Sequence, residues 1–382
     1  MGIFMFLFLG QFMLAQKSQK TNNAFHSTLS FVKTKIASES YETVGVFDVN
    51  NDDILDIVSG AYWYVGPEFK DRHYVGSAKR YGEYYDDFST IPLDVNGDGN
   101  MDFITGGWFG KELIWKENPG DNSEWQEHLI ANAGNIESTR SWDIDGDGVQ
   151  EIIPNTPNDP LIVYRLILDT DGKGTGEFLK HTITGKPGHG LGFGDINGDG
   201  RVDIVIRNGW LEAPKKPFKE DWKLHKAFEL GTASVPIIVA DVDQDGLNDL
   251  IVGQGHDYGL DWYRQEVGTA SGWAKHPIDP FNSQYHSMEW EDIDNDGQNE
   301  LITGKRYRAH NGKDPGGHEP TGIYYFKWTG SAFSKQIIDY GAYGEGKGTG
   351  VFFTVIDING SGKKDIIVGG KDGLYLYYNK LK

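Results

Sequence analysis

The sequence predicts an all-β chain folded as a seven-bladed β-propeller, and three observations predict it. An aspartate-rich phrase recurs seven times along 382 residues. Each copy runs into short β-prone segments separated by glycine-rich turns. The last unit is one strand short, and a matching strand stands at the other end of the chain. A repeat period of this size is the signature of a closed or stacked array of equal units.

The phrases are "DVNNDDILDIV" at 48, "DVNGDGNMDFI" at 94, "DIDGDGVQEII" at 143, "DINGDGRVDIV" at 195, "DVDQDGLNDLI" at 241, "DIDNDGQNELI" at 292 and "DINGSGKKDII" at 357. Their first aspartates lie 46, 49, 52, 46, 51 and 65 residues apart. In the fourth unit "GHGLGFGDI" reads as a first strand and "DIVIRNG" as a second. "WLEAP" begins a third, and "WKLHKAF" alternates as a fourth. Four short strands per unit describe a propeller blade. The seventh unit ends three strands in, at "GLYLYYNKLK". "FVKTKIA" at 31–37 resembles the fourth strand "WQEHLIA" at 125–131, so the N-terminal strand is expected to complete the last blade and close the ring. The propeller is thus expected over 31–382. Residues 16–30 are expected to form a linker. "MGIFMFLFLGQFMLA" at 1–15 reads as a secretory signal peptide, giving a secreted or periplasmic protein.

Each phrase places oxygen-bearing side chains at positions one, three, five and nine around glycines that permit a tight turn, an arrangement suited to calcium. The expected ligands are Asp48, Asn50, Asp52 and Asp56; Asp94, Asn96, Asp98 and Asp102; Asp143, Asp145, Asp147 and Glu151; Asp195, Asn197, Asp199 and Asp203; Asp241, Asp243, Asp245 and Asp249; and Asp292, Asp294, Asp296 and Glu300. The seventh loop has Ser361 at position five, and its calcium binding is left open. An EF-hand is excluded, because it requires flanking helices and a glutamate at position twelve, where the first loop has Ser59. About six structural calcium ions would offset much of the formal charge of −20. The acidity argues against nucleic acid as a partner, and no segment is apolar enough for membrane insertion. Without cysteine there are no disulfides and no thiolate chemistry.

These residues resemble the FG-GAP/VCBS repeat family, the integrin-type calcium-loop propellers. The resemblance implies the fold and says little about activity.

Function is therefore sought in residues the repeat does not require. His128, His181, His225 and His276 recur at one place on fourth strands and read as structural, as do the recurrent tryptophans. His189, His256, His286, His310 and His318 are not periodic. His189 and His286 sit six residues before their loop's first aspartate, a place held elsewhere by Glu42, Phe88, Glu137, Val235 and Val351. His256, His310 and His318 lie in loops between second and third strands, the last two in the insertion "GKRYRAHNGKDPGGHEPTG". All five map to the face opposite the calcium loops. Arg140, Arg207, Arg306 and Arg308 lie beside them, and Trp108, Tyr62 and Tyr258 are placed to stack on a sugar ring.

No nucleophile motif or phosphate-cradling loop is present. A carboxylate pair of Glu42 and Glu137 would lie two blades apart. Histidines and arginines suit proton abstraction beside a carbonyl, or ligation of an additional divalent metal. "GHGLGFGDINGDGRVDI", "YHSMEWEDIDNDG" and "GKRYRAHNGKDPGGHEP" also resemble the propeller domain of the aldos-2-ulose dehydratase family. That resemblance implies β-elimination of water from a keto-sugar such as 1,5-anhydrofructose, and only that step, since no cupin domain follows before Lys382. By this analogy His189 or His286 is the base, and His256 with Asp257 is a metal ligand or proton relay. Arg306 and Arg140 meet the developing enolate. Glu137, Arg207, His310 and His318 join the three aromatics in holding substrate. The alternatives are a polysaccharide lyase acting on a uronic-acid glycan, and a non-catalytic glycan-binding or adhesion propeller.

Overall fold

The β-branched residues after each acidic loop form second strands whose residues are all buried. Examples are Asp203–Ile206, Asp249–Gly253 and Glu300–Gly304. Burial falls toward the rim of each blade, and the fourth strands Arg72–Tyr74 and Lys223–Lys226 are largely exposed. The second strand must therefore pack on both faces, and neighbouring blades supply the cover. Blades 3 and 4 share a core of Ile153, Val163, Leu191, Phe193 and Ile204, and blades 5 and 6 share one of Ile251, Trp262, Met288 and Leu301.

The computed structural model describes residues 29–268 and 272–380. The signal-peptide expectation, and the linker expectation up to residue 28, fall outside the described residues. Seven four-stranded antiparallel sheets form the seven blades of an all-β propeller. The first strands of blades 1 to 7 are Gly45–Phe47, Ile91–Leu93, Ser138–Trp142, Leu191–Gly194, Ile238–Ala240, Met288–Glu291 and Thr354–Ile356. The sheet of Thr354–Ile356, Asp365–Val368 and Leu374–Asn379 has Phe31–Ala37 as its fourth strand, with Phe31 opposite Asn379. Among the described residues the one helical segment is a 3-10 turn, Ala309–Gly312, so the loops lack the helices of an EF-hand.

The periodic histidines have a packing role. His73, His128 and His225 stack on Trp63, Trp115 and Trp210 with ring centroids 4.7, 4.3 and 4.2 Å apart. His276 lies tilted against Trp262. Each pair links a third strand to its fourth. In blade 3 the tryptophan's place is held by Val163, and His181 meets Phe218 edge-on instead.

The acidic loops are knitted by their own backbone. In blade 4 the Asp195 carboxylate accepts from the amides of Gly198, Asp199 and Gly200. Gly198 and Gly200 have φ of 74° and 84°, which glycine adopts without strain. Position nine serves the scaffold. Asp203 is fully buried and accepts from the amides of Ile196 at 2.9 Å and Ala213 at 2.8 Å, tying the loop to the third strand. Asp56, Asp102, Asp249 and Asp365 do the same in their blades.

Candidate metal centre

Four blades deliver side chains to one point. Glu137 and His189 precede the first strands of blades 3 and 4, His286 precedes that of blade 6, and His256 sits in the second-to-third loop of blade 5. The local backbone allows the approach. Gly190 has φ of 114°, and a Cβ there would lie 2.6 Å from that of Ala233, whose carbonyl accepts from His189 Nδ1 at 2.7 Å. A Cβ at Gly255 would press on His286 and His189.

Glu137 Oε2 lies 3.5, 3.7 and 3.9 Å from Nε2 of His189, His286 and His256. His189 Nε2 and His256 Nε2 are 3.1 Å apart. The four ligand atoms all lie within 4.8 Å of one another. A tetrahedral zinc-type ion with bonds of about 2.0–2.1 Å would separate its ligands by roughly 3.3 Å. The donor set therefore has the dimensions of such a shell.

The hydrogen bonds fix which nitrogens point inward. His189 Nδ1 is committed to the Ala233 carbonyl, and His256 Nδ1 is paired with Asp314 Oδ2 at 2.8 Å. In the neutral tautomers this leaves both Nε2 lone pairs facing each other and the Glu137 carboxylate. That contact is repulsive unless a proton or a cation lies between them. His286 is fully buried, and neither of its ring nitrogens has a hydrogen-bond partner. Orphaned buried polar atoms call for a missing partner. Burial lowers the pKa of His286 to about 3, against the pull of Glu137, so the ring is neutral and its lone pair is available. Burial alone would raise the Glu137 pKa, but attraction to His189 and the closeness of the His256 and His286 rings hold it well below the usual range. The residues present fit a divalent ion.

An outer layer orients this set. Asp314 also accepts from His310 Nδ1 at 2.8 Å, and the His310 ring stacks on His256 with centroids 4.4 Å apart. Burial disfavours the charged form of His256, but Asp314 and then Glu137 outweigh it and raise its pKa. Arg306 forms a bidentate pair with Glu42 at 2.9 and 3.1 Å, both nearly buried. Burial would raise the Glu42 pKa, but Arg306 and then Lys371 hold it at about 2. Lys371 lies over the Tyr84 ring, and burial lowers its pKa to about 8 despite Glu42. The insertion of blade 6 crosses this mouth. Arg308 pairs with Glu83, the Asn311 amide donates to Tyr84 Oη, and Lys371 donates to the Arg308 carbonyl.

The structure thus gathers His189, His256, His286 and His310, with Glu137 at their centre. His318 is exposed in the same insertion, against Gly312. Glu137, expected to hold substrate, faces three imidazoles. Arg140 is turned away from the mouth. It donates to the Val235 carbonyl and Ser287, pairs with Glu289 at 3.3 Å and lies over Phe352, spanning the channel between blades 3, 5, 6 and 7. Its expected part in meeting an enolate is not supported by that position, and Arg306 is likewise spent on Glu42. Arg207 is half-exposed and pairs with Glu229. Tyr258 donates to Glu319 at 2.5 Å. Tyr62, in the third strand of blade 1, packs against Tyr74 and under Arg72, outside the mouth. Trp108 is half-buried, and its carbonyl accepts from Asn135. Asp314, Lys371 and Tyr84 were not singled out from sequence. Asp314 was the readable one, lying four residues after His310.

A sequence model described as FG-GAP-like repeat matches residues 62–153 and 241–303. The chain contains FG-GAP-like repeats. The comparison with curated proteins gives no match. Among solved structures the fold is similar to that of BBS1N in its complex with ARL6DN, at 11% identity and a TM-score of 0.51, covering 93% of this chain and 97% of that one. An Agrocybe aegerita lectin described as recognising non-reducing terminal N-acetylglucosamine is 14% identical with a TM-score of 0.46, over 92% and 94% of the two chains. At such identity the likeness is one of fold.

Proposed function

We propose that this FG-GAP propeller is a secreted, metal-dependent carbohydrate lyase that eliminates water from a keto-sugar such as 1,5-anhydrofructose. The observation that carries the reading is the convergence of Glu137, His189, His256 and His286 from four blades on one volume. Those four residues hold a divalent ion of zinc type. Four protein ligands fill a tetrahedral shell, so such an ion, when bound, would have to expand to five-coordinate to take a carbonyl, and would then polarise it and make the neighbouring C–H more acidic.

The chain's own residues supply the rest. His189 and His286 are ligands in this reading, not bases, because their Nε2 atoms face Glu137. His310 is the exposed imidazole beside the centre, held by Asp314; it takes the proton next to the carbonyl and hands it to the departing β-hydroxyl as the C–O bond breaks, so that water leaves. Asp314 orients His256 and His310 together. The Arg306–Glu42 pair fixes the charge beneath the site. The insertion over the mouth limits water, and Tyr258, at its edge, stacks on the sugar. Calcium bound in acidic loops on the opposite face is structural, and strand Phe31–Ala37 closes the ring.

The test is direct. Zinc-loaded protein is mixed with 1,5-anhydrofructose and with related keto-sugars, and enone absorbance is followed. Turnover that disappears in His310→Ala and in Glu137→Gln supports the reading. Binding of sugar without turnover would leave a glycan-binding propeller. Unsaturated oligosaccharides from a uronic-acid polymer would make it a polysaccharide lyase.

A further inference from the structure

The seven acidic loops fall into two classes, and the difference is written on another strand. Position three is aspartate in blades 3, 5 and 6 (Asp145, Asp243 and Asp294) and asparagine in blades 1, 2, 4 and 7 (Asn50, Asn96, Asn197 and Asn359). The third-strand residue opposite position nine follows the same division. It is Arg165, Arg264 and Lys327 in the aspartate blades, and Val65, Glu117, Glu212 and Tyr378 in the asparagine blades. Extra carboxylate and extra cation therefore appear together, and the pair leaves the formal charge of the loop unchanged.

The side chains meet. Arg264 donates to Asp243 at 2.6 Å and to Asp245 at 2.7 Å. Lys327 donates to Asp294, to Asp296 at 2.6 Å and to Glu300 at 3.1 Å. Arg165 pairs with Asp147, with Asp145 at 3.2 Å and with Glu151 at 3.5 Å. In each case one cation bridges positions three and five, where a calcium ion would take its ligands. In blades 1, 2 and 4 the position-three amide donates instead to the position-five aspartate, as Asn50 does to Asp52 and Asn197 to Asp199. Blade 4 also carries Arg201 inside its loop, but that guanidinium reaches only Asp199 and the Ala213 carbonyl.

We propose that blades 3, 5 and 6 carry a tethered counter-ion, Arg165, Arg264 or Lys327, which takes the place of calcium and lets these loops form without a divalent ion. The expectation of six similar calcium loops is thereby halved. Calcium is left to the loops of blades 1, 2 and 4, a clause that rests on the functional reading above. An ammonium or guanidinium fixed to a strand competes with a free ion at high effective concentration.

The experiment is calcium counting by equilibrium dialysis on the full-length protein at physiological ionic strength. Arg165→Gln, Arg264→Gln and Lys327→Gln should each bind one more calcium ion than the parent, and each should become more stable to heat on adding calcium. Asn96→Asp combined with Glu117→Lys should move blade 2 into the other class and lose one ion. Unchanged counts in these variants overturn the proposal, and that holds even if a neutral variant fails to fold, because the blade 2 exchange reads the same rule in reverse. The parent's own count tests calcium binding separately, with three ions expected.

Discussion

Asp314→Asn changes one atom type beside the candidate metal centre and keeps the shape. Asp314 lies 2.8 Å from Nδ1 of both His256 and His310, so its carboxylate fixes the tautomer that aims His256 Nε2 at Glu137. An asparagine oxygen can still accept one of these bonds, but it carries no charge and its amide cannot accept the other. Loss of such an outer partner costs about 10–100-fold in metal affinity, or roughly 1.4–2.7 kcal/mol. The variant's zinc affinity, measured by competition with a chromophoric chelator at fixed pH, should fall by that factor while the melting temperature of the metal-free protein moves little. An affinity within twofold of the parent would refute the argument that Asp314 orients a ligand.

Other expectations follow from the same geometry. Glu42→Gln leaves Arg306 buried without its partner, and chemical denaturation should show a loss of about 3–5 kcal/mol. The folded-state pKa of Glu42 is depressed to about 2, below its unfolded value. Its stabilisation is therefore complete above the ordinary carboxylate range and is lost as pH falls from about 4.5 towards 2. A denaturation series across that window should steepen for the parent and flatten for the variant. Asp203→Ala removes the acceptor of two backbone amides and should cost about 2–5 kcal/mol. It should do so even in EDTA, whereas a purely metal-binding residue would matter only with calcium present. EDTA itself should lower the melting temperature of the parent, and calcium should restore it; a melting point indifferent to both would argue against filled loops.

The fold was legible because its signal is periodic. Seven phrases in register fix strand count, turn position and blade number, and the recurrent Trp–His pairs mark third and fourth strands. The site was partly legible by subtraction, since the non-periodic histidines stood out and four of them meet. Their roles were not legible. A base and a ligand use the same imidazole, and only the direction of Nε2 separates them. The partners of the arginines were also hidden, because Arg306 finds Glu42 across 264 residues and Arg140 finds Glu289 across 149. The propeller fold brings such positions together, and no local pattern announces it. The two classes of acidic loop were readable in principle, but only after the pairing of strands two and three showed which residue faces position nine.

In the proposed centre four side chains share one divalent ion at the channel mouth. X-ray absorption at the zinc edge of protein loaded with one equivalent tests it most directly, with Glu137→Gln and His286→Ala alongside. The predicted result is a four-coordinate site with three imidazoles and one oxygen at about 2.0–2.1 Å, disrupted in both variants. A spectrum of hydrated, outer-sphere zinc, or one unchanged in both variants, would contradict it.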